Sequence, residues 1–304
     1  MKHYLIIDGN SIGFAAHNTT VLTVAGKQVQ AIFGFLRTVR KMVETYGSGG
    51  VLILWDGKSW RKEAYSFYKA DRDKDPKIAA ARAHYKTQRP SIARACKLLG
   101  LPQLFAPNLE ADDLAGMLVP RAVAKGARVT MATGDQDWLQ LVQPGVVWMD
   151  FVREKIVTTK NFQEFTGYVN AAAFLQGKAL RGDSSDKIPG VGGIGEKGAA
   201  EMLEKWGSVE GFLEAFNGGK IEKPGKKLVT FATNAAGGVD NFHRNMEIMD
   251  LRSPAIPKPT KLHKTAKPLD EEGFTEFCAE LAFHSILREL DKWLTPFKKG
   301  ISHA

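Results

Sequence analysis

Tyr4-Leu5-Ile6-Ile7-Asp8-Gly9-Asn10 is a short, mostly apolar run that stops at an acid and a glycine. A run of that length bounded by a turn residue predicts a buried strand. The pattern recurs. Val51–Trp55 ends at Asp56 and Gly57, and Val129–Ala132 ends just before Gly134, Asp135 and Asp137. Val146–Met149 reads as a fourth strand. Helical periodicities lie between these runs, at Ala31–Tyr46, Ser91–Leu99 and Glu110–Ala124, and Pro120 predicts a kink or a stop in the last of them. Strands alternating with helices predict an α/β fold, a mostly parallel central sheet with flanking helices on both faces. Ligands of such sheets bind beyond the carboxyl ends of the strands, where Asp8, Asp56, Asp135 and Asp137 fall.

After about Tyr168 the pattern changes. Ala171–Leu180 and Glu196–Lys205 read as helices flanking a glycine-rich turn, short helices follow, Ser253–Pro268 is rich in Pro and Lys, and Glu271–Leu290 closes as a helix. This half predicts an α-helical second lobe, with a domain boundary between residues 167 and 168.

The chain has 304 residues, 44% of them hydrophobic, and a formal charge of +9 from 42 basic and 33 acidic residues. The positive charge is concentrated. From Lys58 to Arg89 ten basic residues stand against four acids, and Gly218–Lys267 shows a similar excess. Segregated positive charge favours a nucleic-acid partner through counterion release, although a solvated face would look alike. Cys96 and Cys278 lack metal-ligand spacing and read as reduced core residues. No apolar run approaches membrane-spanning length, and the N-terminus enters a strand without a signal-peptide pattern. The expectation is a cytoplasmic protein with no membrane partner.

Nine acids sit against this basic background: Asp8, Asp56, Glu110, Asp112, Asp113, Asp135, Asp137, Asp183 and Asp186. One Asp at a strand end is commonly a turn former or a helix cap, and acids opening a helix favour its positive end. Several converging at one sheet edge are another matter. At an effective dielectric near 20, two carboxylates ~5 Å apart repel by roughly 3 kcal/mol, so the cluster predicts cations. Oxygen-only donors predict a hard divalent ion such as Mg²⁺ rather than zinc. Gly190-Val191-Gly192-Gly193-Ile194-Gly195, followed by Glu196 and Lys197, reads either as a plain flexible loop or as a hairpin that offers backbone N–H groups to a phosphate. The aromatics Trp60, Tyr65, Phe67 and Tyr68 read as core, or as platforms for an unpaired base beside Lys69 and Arg72.

Taken together, Ile7-Asp8-Gly9-Asn10, Trp55-Asp56-Gly57, Tyr68-Lys69-Ala70-Asp71-Arg72, Glu110-Ala111-Asp112-Asp113, Thr133-Gly134-Asp135-Gln136-Asp137 and Gly182-Asp183 through Asp186 to Gly195 resemble the 5′→3′ exonuclease and flap endonuclease (5′-nuclease) superfamily, in particular the stand-alone phage enzymes and the 5′-nuclease domain of bacterial DNA polymerase I. The resemblance runs to about Leu251. It implies a PIN-like catalytic domain over 1–167, with a helical arch at about 58–92 that single-stranded 5′ ends pass beneath. Within the helical lobe read over 168–304 it implies a helix–hairpin–helix-type element at about 171–206 for the downstream duplex. Asp8, Asp56, Glu110 and Asp112 would hold a first Mg²⁺, with Asp113 nearby, and Asp135, Asp137, Asp183 and Asp186 a second. Mn²⁺ would substitute, and some relatives carry K⁺ at the hairpin. Lys69 and Arg72 match the basic pair that reaches the scissile phosphate. Tyr68, Gly190, Gly192, Gly193, Ile194, Gly195 and Lys197 would meet DNA.

The expected activity is metal-dependent hydrolysis of DNA phosphodiesters near single-strand/duplex junctions. Two metals would stabilise the attacking and leaving oxygens, and no covalent nucleophile is required. Expected substrates are DNA 5′ ends and flaps, with RNA-primer ends as a further class. The chain is expected to act as a monomer beside a separate polymerase. A non-catalytic branched-DNA binder and a PIN-type ribonuclease are the competing expectations.

Overall fold

The computed structural model describes residues 2–71 and 74–298. Its strands are β1 (His3–Asp8), β2 (Thr23–Val24), β3 (Lys27–Gln28), β4 (Val51–Trp55), β5 (Gln103–Phe105), β6 (Arg128–Ala132), β7 (Val146–Asp150), β8 (Lys155–Val157) and β9 (His263–Thr265). β2 and β3 form a separate ribbon, and the other seven make one sheet in the order β8-β7-β6-β1-β4-β5-β9. β1 pairs parallel with both β4 and β6, β5 and β7 extend the parallel set, and only the edge strands β8 and β9 run antiparallel. The register aligns Ile7 with both Ile53 and Ala132, so the three acid-bearing strand ends finish at one level.

Side-chain alternation assigns the two faces. Leu5, Ile7, Ile53 and Trp55 face a layer made by α1 (Gly9–His17), α2 (Gln30–Tyr46) and α4 (Pro76–Leu98). A short helix, α3 (Trp60–Ala64), precedes α4. On the other face Ile6, Leu54, Val129 and Met131 pack with α5 (Ala111–Ala124) and with the segment running through α6 (Phe162–Thr166) to α7 (Ala171–Arg181). α8 (Glu196–Trp206), α9 (Val209–Asn217), α10 (Lys226–Ala232) and α11 (Gly238–Met249) complete the helical lobe. Phe174, Leu180 and Ile188 of that lobe share one core with Trp138 and Trp148 of the sheet layer.

Several element boundaries differ from expectation. α4 is one helix of 23 residues that begins well before Ser91, with Asp75 capping its N-terminus and Pro90 inside it. Of the two outcomes left open at Pro120 the stop does not occur, since α5 runs on to Ala124, and Glu110 is its N-cap rather than its first residue. The lobe also does not reach the C-terminus. After α11 the chain returns to pair β9 with β5 and to lay α12 (Glu271–Glu280), α13 (His284–Leu287) and α14 (Leu290–Lys298) against the α2–α4 layer. The single final helix expected over 271–290 breaks at Ala282, which has φ +50°. The cause of the return is apolar: Phe274, Phe277, Phe283, Leu294 and Phe297 are buried against that layer, each contributing roughly 1.5–3 kcal/mol.

Candidate metal centre

Asp8 ends β1 and caps α1. Its carboxylate accepts from the Ser11 N–H at 2.9 Å and from the Thr133 hydroxyl at 2.8 Å. Asp56, just past β4, accepts from the Ala111 N–H at 2.8 Å, which ties the β4 end to the start of α5. Asp112 accepts from Trp138 Nε1 at 2.7 Å. Glu110 is held by three donors: the Ser59 hydroxyl at 2.7 Å, Lys69 Nζ at 3.1 Å and Arg61 Nη1 at 3.2 Å. Asp135 caps the short turn over Gln136–Leu141 by accepting from the Asp137 N–H at 2.8 Å.

Two adjoining cavities open on this edge, of about 530 and 410 Å³. Asp8, Asp56, Glu110, Asp112 and Asp135 line the first; Asp112, Asp135, Asp137, Asp183 and Asp186 line the second. Lys69 and Arg82 face both. Eight of the nine predicted acids therefore meet at one groove.

Asp113 does not. It is fully buried, with Oδ2 accepting from the Glu110 N–H to close a capping box and Oδ1 paired to Arg61 at 2.7 Å. Its place in the motif is structural, because a helix start beside a buried guanidinium needs an acid there. Tyr68 is also corrected: it is buried, with the Lys69 ammonium 4.7 Å from its ring centre, and offers no face to a base. Ile194 is buried in the core and anchors the hairpin rather than facing outward. Arg72 lies outside the described residues.

Electrostatics divides the groove. Burial first and Asp56 second push Asp8 up to about 7. Asp56 is raised by burial and then by Glu110, and Asp112 well above the carboxylate range by burial and then by Asp135. Asp135 opens onto the groove, yet the protein around its other sides, and next Asp137, push it up to about 6. The deficit there is of positive charge. Burial would raise Glu110 too, but Lys69 and Arg61 override it and hold it low. Burial also opposes ionised Asp183, and Lys178 prevails, holding it well below the usual range. Lys178, on α7, bridges Asp137 and Asp183.

Among the described residues no three of these carboxylates form a ready-made ligand cage; lysines stand among them instead. The donor set still fits divalent cations. It is built from oxygens, and the raised carboxylates in the first cavity are poised for a cation.

Lys69 adopts φ +54°, donates its backbone N–H to the Asp186 carbonyl at 2.9 Å, and extends its ammonium to Glu110 and to within 3.8 Å of Asp186. A non-glycine residue in this conformation is strained and is typical of positions held for function. Lys69 therefore ties the first set to the approach of the second. Arg82, Tyr85 and Lys86 of α4 also line the groove, and only the charge of the 58–89 window hinted at them. Lys178 carried no local signal.

The glycine hairpin follows α7. Gly182 (φ +77°) passes so close to Gly190 that a Cβ on Gly182 would sit 2.4 Å from the Gly190 nitrogen. Gly192 and Gly193 turn with φ of +59° and +68°, and Gly195 caps α8. Lys197 is almost fully exposed, and the Lys227 side chain lies alongside Gly193.

Residues 3–167 match the family of the 5′-3′ exonuclease N-terminal resolvase-like domain, and residues 169–241 the 5′-3′ exonuclease C-terminal SAM fold. The chain is 31% identical over 296 residues to a 5′-3′ exonuclease of Aquifex aeolicus, covering 96% of each. It is 34% identical over 292 residues to the thermostable DNA polymerase I of Thermus filiformis, covering 95% of this chain and 33% of the polymerase. The chain thus spans about a third of the length of the curated polymerases it matches. Its fold is similar to that of the bacteriophage T5 D15 flap endonuclease solved with DNA and metal ions, with a TM-score of 0.68 and 20% identity over 98% of this chain and all of that one. No helix among the described residues is long and apolar enough to cross a membrane.

Proposed function

The chain belongs to the 5′-3′ exonuclease and flap endonuclease family and is a nuclease of that class; from this premise we propose that it hydrolyses DNA phosphodiesters near single-strand/duplex junctions with two divalent ions, Mg²⁺ by preference. Asp8, Asp56, Glu110 and Asp112 hold the first ion, and Asp135, Asp137, Asp183 and Asp186 the second. The observation that carries this reading is the pair of adjoining cavities, each lined by its own acids and sharing Asp112, Asp135, Lys69 and Arg82. Bound divalent ions supply Lewis-acid stabilisation of the attacking and leaving oxygens of an in-line displacement.

The protein's own residues do the rest. Lys69, fixed between Glu110 and Asp186, offsets charge developing on the phosphoryl oxygens. Arg82 serves the same groove from α4, and the motif assigns Arg72 the same role as Lys69. α3 and α4 carry the basic residues that guide a 5′ strand over the groove. The hairpin's Gly190, Gly192, Gly193 and Gly195 bring backbone close to a duplex phosphate, Lys197 adds charge, and a K⁺ ion held at the hairpin would add positive charge to the same contact. Substrates are DNA 5′ ends and flaps, with RNA-primer ends as a second class. The test is cleavage of a 5′-end-labelled flap beside a blunt duplex in Mg²⁺ and in EDTA. Short products released only with metal are expected, and loss of the DNA flap's advantage over an RNA flap would redirect the reading to a ribonuclease.

A further inference from the structure

Lys178 lies at the centre of the second acid set. It is buried on α7, five residues before Asp183, and its Nζ bridges Asp137 and, at 2.9 Å, Asp183. Asp186 is in turn within 3.8 Å of the Lys69 ammonium. Three of the four acids in the first set are held differently. Asp8, Asp56 and Asp112 accept hydrogen bonds from the neutral donors Ser11, Thr133, Ala111 and Trp138, and Glu110 at its edge is the member paired to cations, Lys69 and Arg61.

We infer that Lys178 is the resident counter-ion of the second set, and that a divalent ion enters the second cavity only by displacing its ammonium. This rests on the metal-dependent function proposed above. A divalent ion and an ammonium sharing Asp137 and Asp183 would repel strongly at such separations. The lysine stem is flexible, and the cavity of about 410 Å³ gives its ammonium room to swing aside. Occupancy of the second cavity therefore lags behind the first as divalent concentration rises.

Mn²⁺ binding to the full chain, followed by electron paramagnetic resonance, tests this in the wild type and in Lys178→Met, which retains stem length and volume. Two binding classes are expected in the wild type. In the variant the weaker class tightens by at least about tenfold while the stronger stays unchanged. A weaker class that is unaltered or weakened overturns the inference, because the lysine would then orient the carboxylates for the ion instead of competing with it.

Loss of the buried charge costs the metal-free fold. Should the variant fail to fold, the wild type decides alone. The ¹⁵N resonance of the Lys178 ammonium is expected to shift with the second Mg²⁺-binding step. A shift that follows the first step, or none at saturation, overturns the inference. A wild type that binds no divalent ion overturns this inference and the proposed function together, whereas two classes with the weaker one insensitive to Lys178 overturn this inference alone.

Discussion

Arg61 Nη1 donates to Asp113 Oδ1 at 2.7 Å in a pair closed to solvent, while Arg61 Nε donates to the Ile248 carbonyl at 2.6 Å. One side chain thus joins α3, the first turn of α5 and the last turn of α11. It sets Glu110 in the groove, through a second bond at 3.2 Å, from behind.

Asp113→Ala leaves buried Arg61 with only its longer pairing to Glu110 and the Glu110 N–H without its acceptor, so it is expected to cost about 3 kcal/mol of stability. Urea denaturation measures it. The folded fraction should keep the stronger Mn²⁺-binding class, since Asp113 faces neither cavity. Loss of that class in folded protein would return Asp113 to the ligand set.

Asp8→Asn and Asp112→Asn keep side-chain size and remove charge from the first cavity. Cleavage is expected to fall by at least about 10³-fold, roughly 4 kcal/mol of transition-state stabilisation, with DNA affinity largely intact. Full activity of either variant at saturating Mg²⁺ would exclude that residue from the site.

Lys69→Ala is expected to slow the chemical step by about 10²–10³-fold while changing affinity little, as removal of a transition-state electrostatic contact does. Single-turnover rates at saturating enzyme separate the two effects. An unchanged rate with weakened binding would make Lys69 a binding residue.

Stability of the metal-free protein should depend on pH with an inverted sign in the neutral range. Asp8 rises from 3.8 to about 7 and Asp135 from 3.8 to about 6. Between about pH 4 and 7 the folded chain therefore keeps protons that the unfolded chain has lost, and stability falls as pH rises. Thermal melts in EDTA should show Tm lower at pH 8 than at pH 5.5 by a few degrees, with buried Asp8 contributing most because solvent screens the exposed Asp135. Added Mg²⁺ should raise Tm more at pH 8, where the carboxylates are ionised. A metal-free Tm that climbs steadily through this range would contradict the charge deficit assigned to the first cavity.

Four of the seven sheet strands, β1, β4, β6 and β7, and most of the acids were legible in the sequence, because both signals are local. An apolar run of a few residues fixes a strand, and an acid immediately after it must lie at the carboxyl edge. Asp8, Asp56, Asp135 and Asp137 were legible for that reason, and their spacing with Glu110, Asp112, Asp183 and Asp186 carried the family resemblance.

The remaining features depend on contacts between residues far apart in the chain. Asp113 is a ligand by motif and a buried partner by packing, because Arg61 lies 52 positions away. Lys178 meets Asp137 across 41 positions, and nothing around either residue announces the encounter. Tyr68 has the composition of a stacking platform, yet whether an aromatic ring is exposed is set by what packs over it. The same holds for the C-terminus. Its helical pattern is plain in the sequence, but the face that Phe274, Phe277 and Phe297 would cover exists only once α2 and α4 are side by side. Local sequence sets the backbone at each acid. Burial, and the cations brought against those acids by the fold, set which of them remain free to hold a metal.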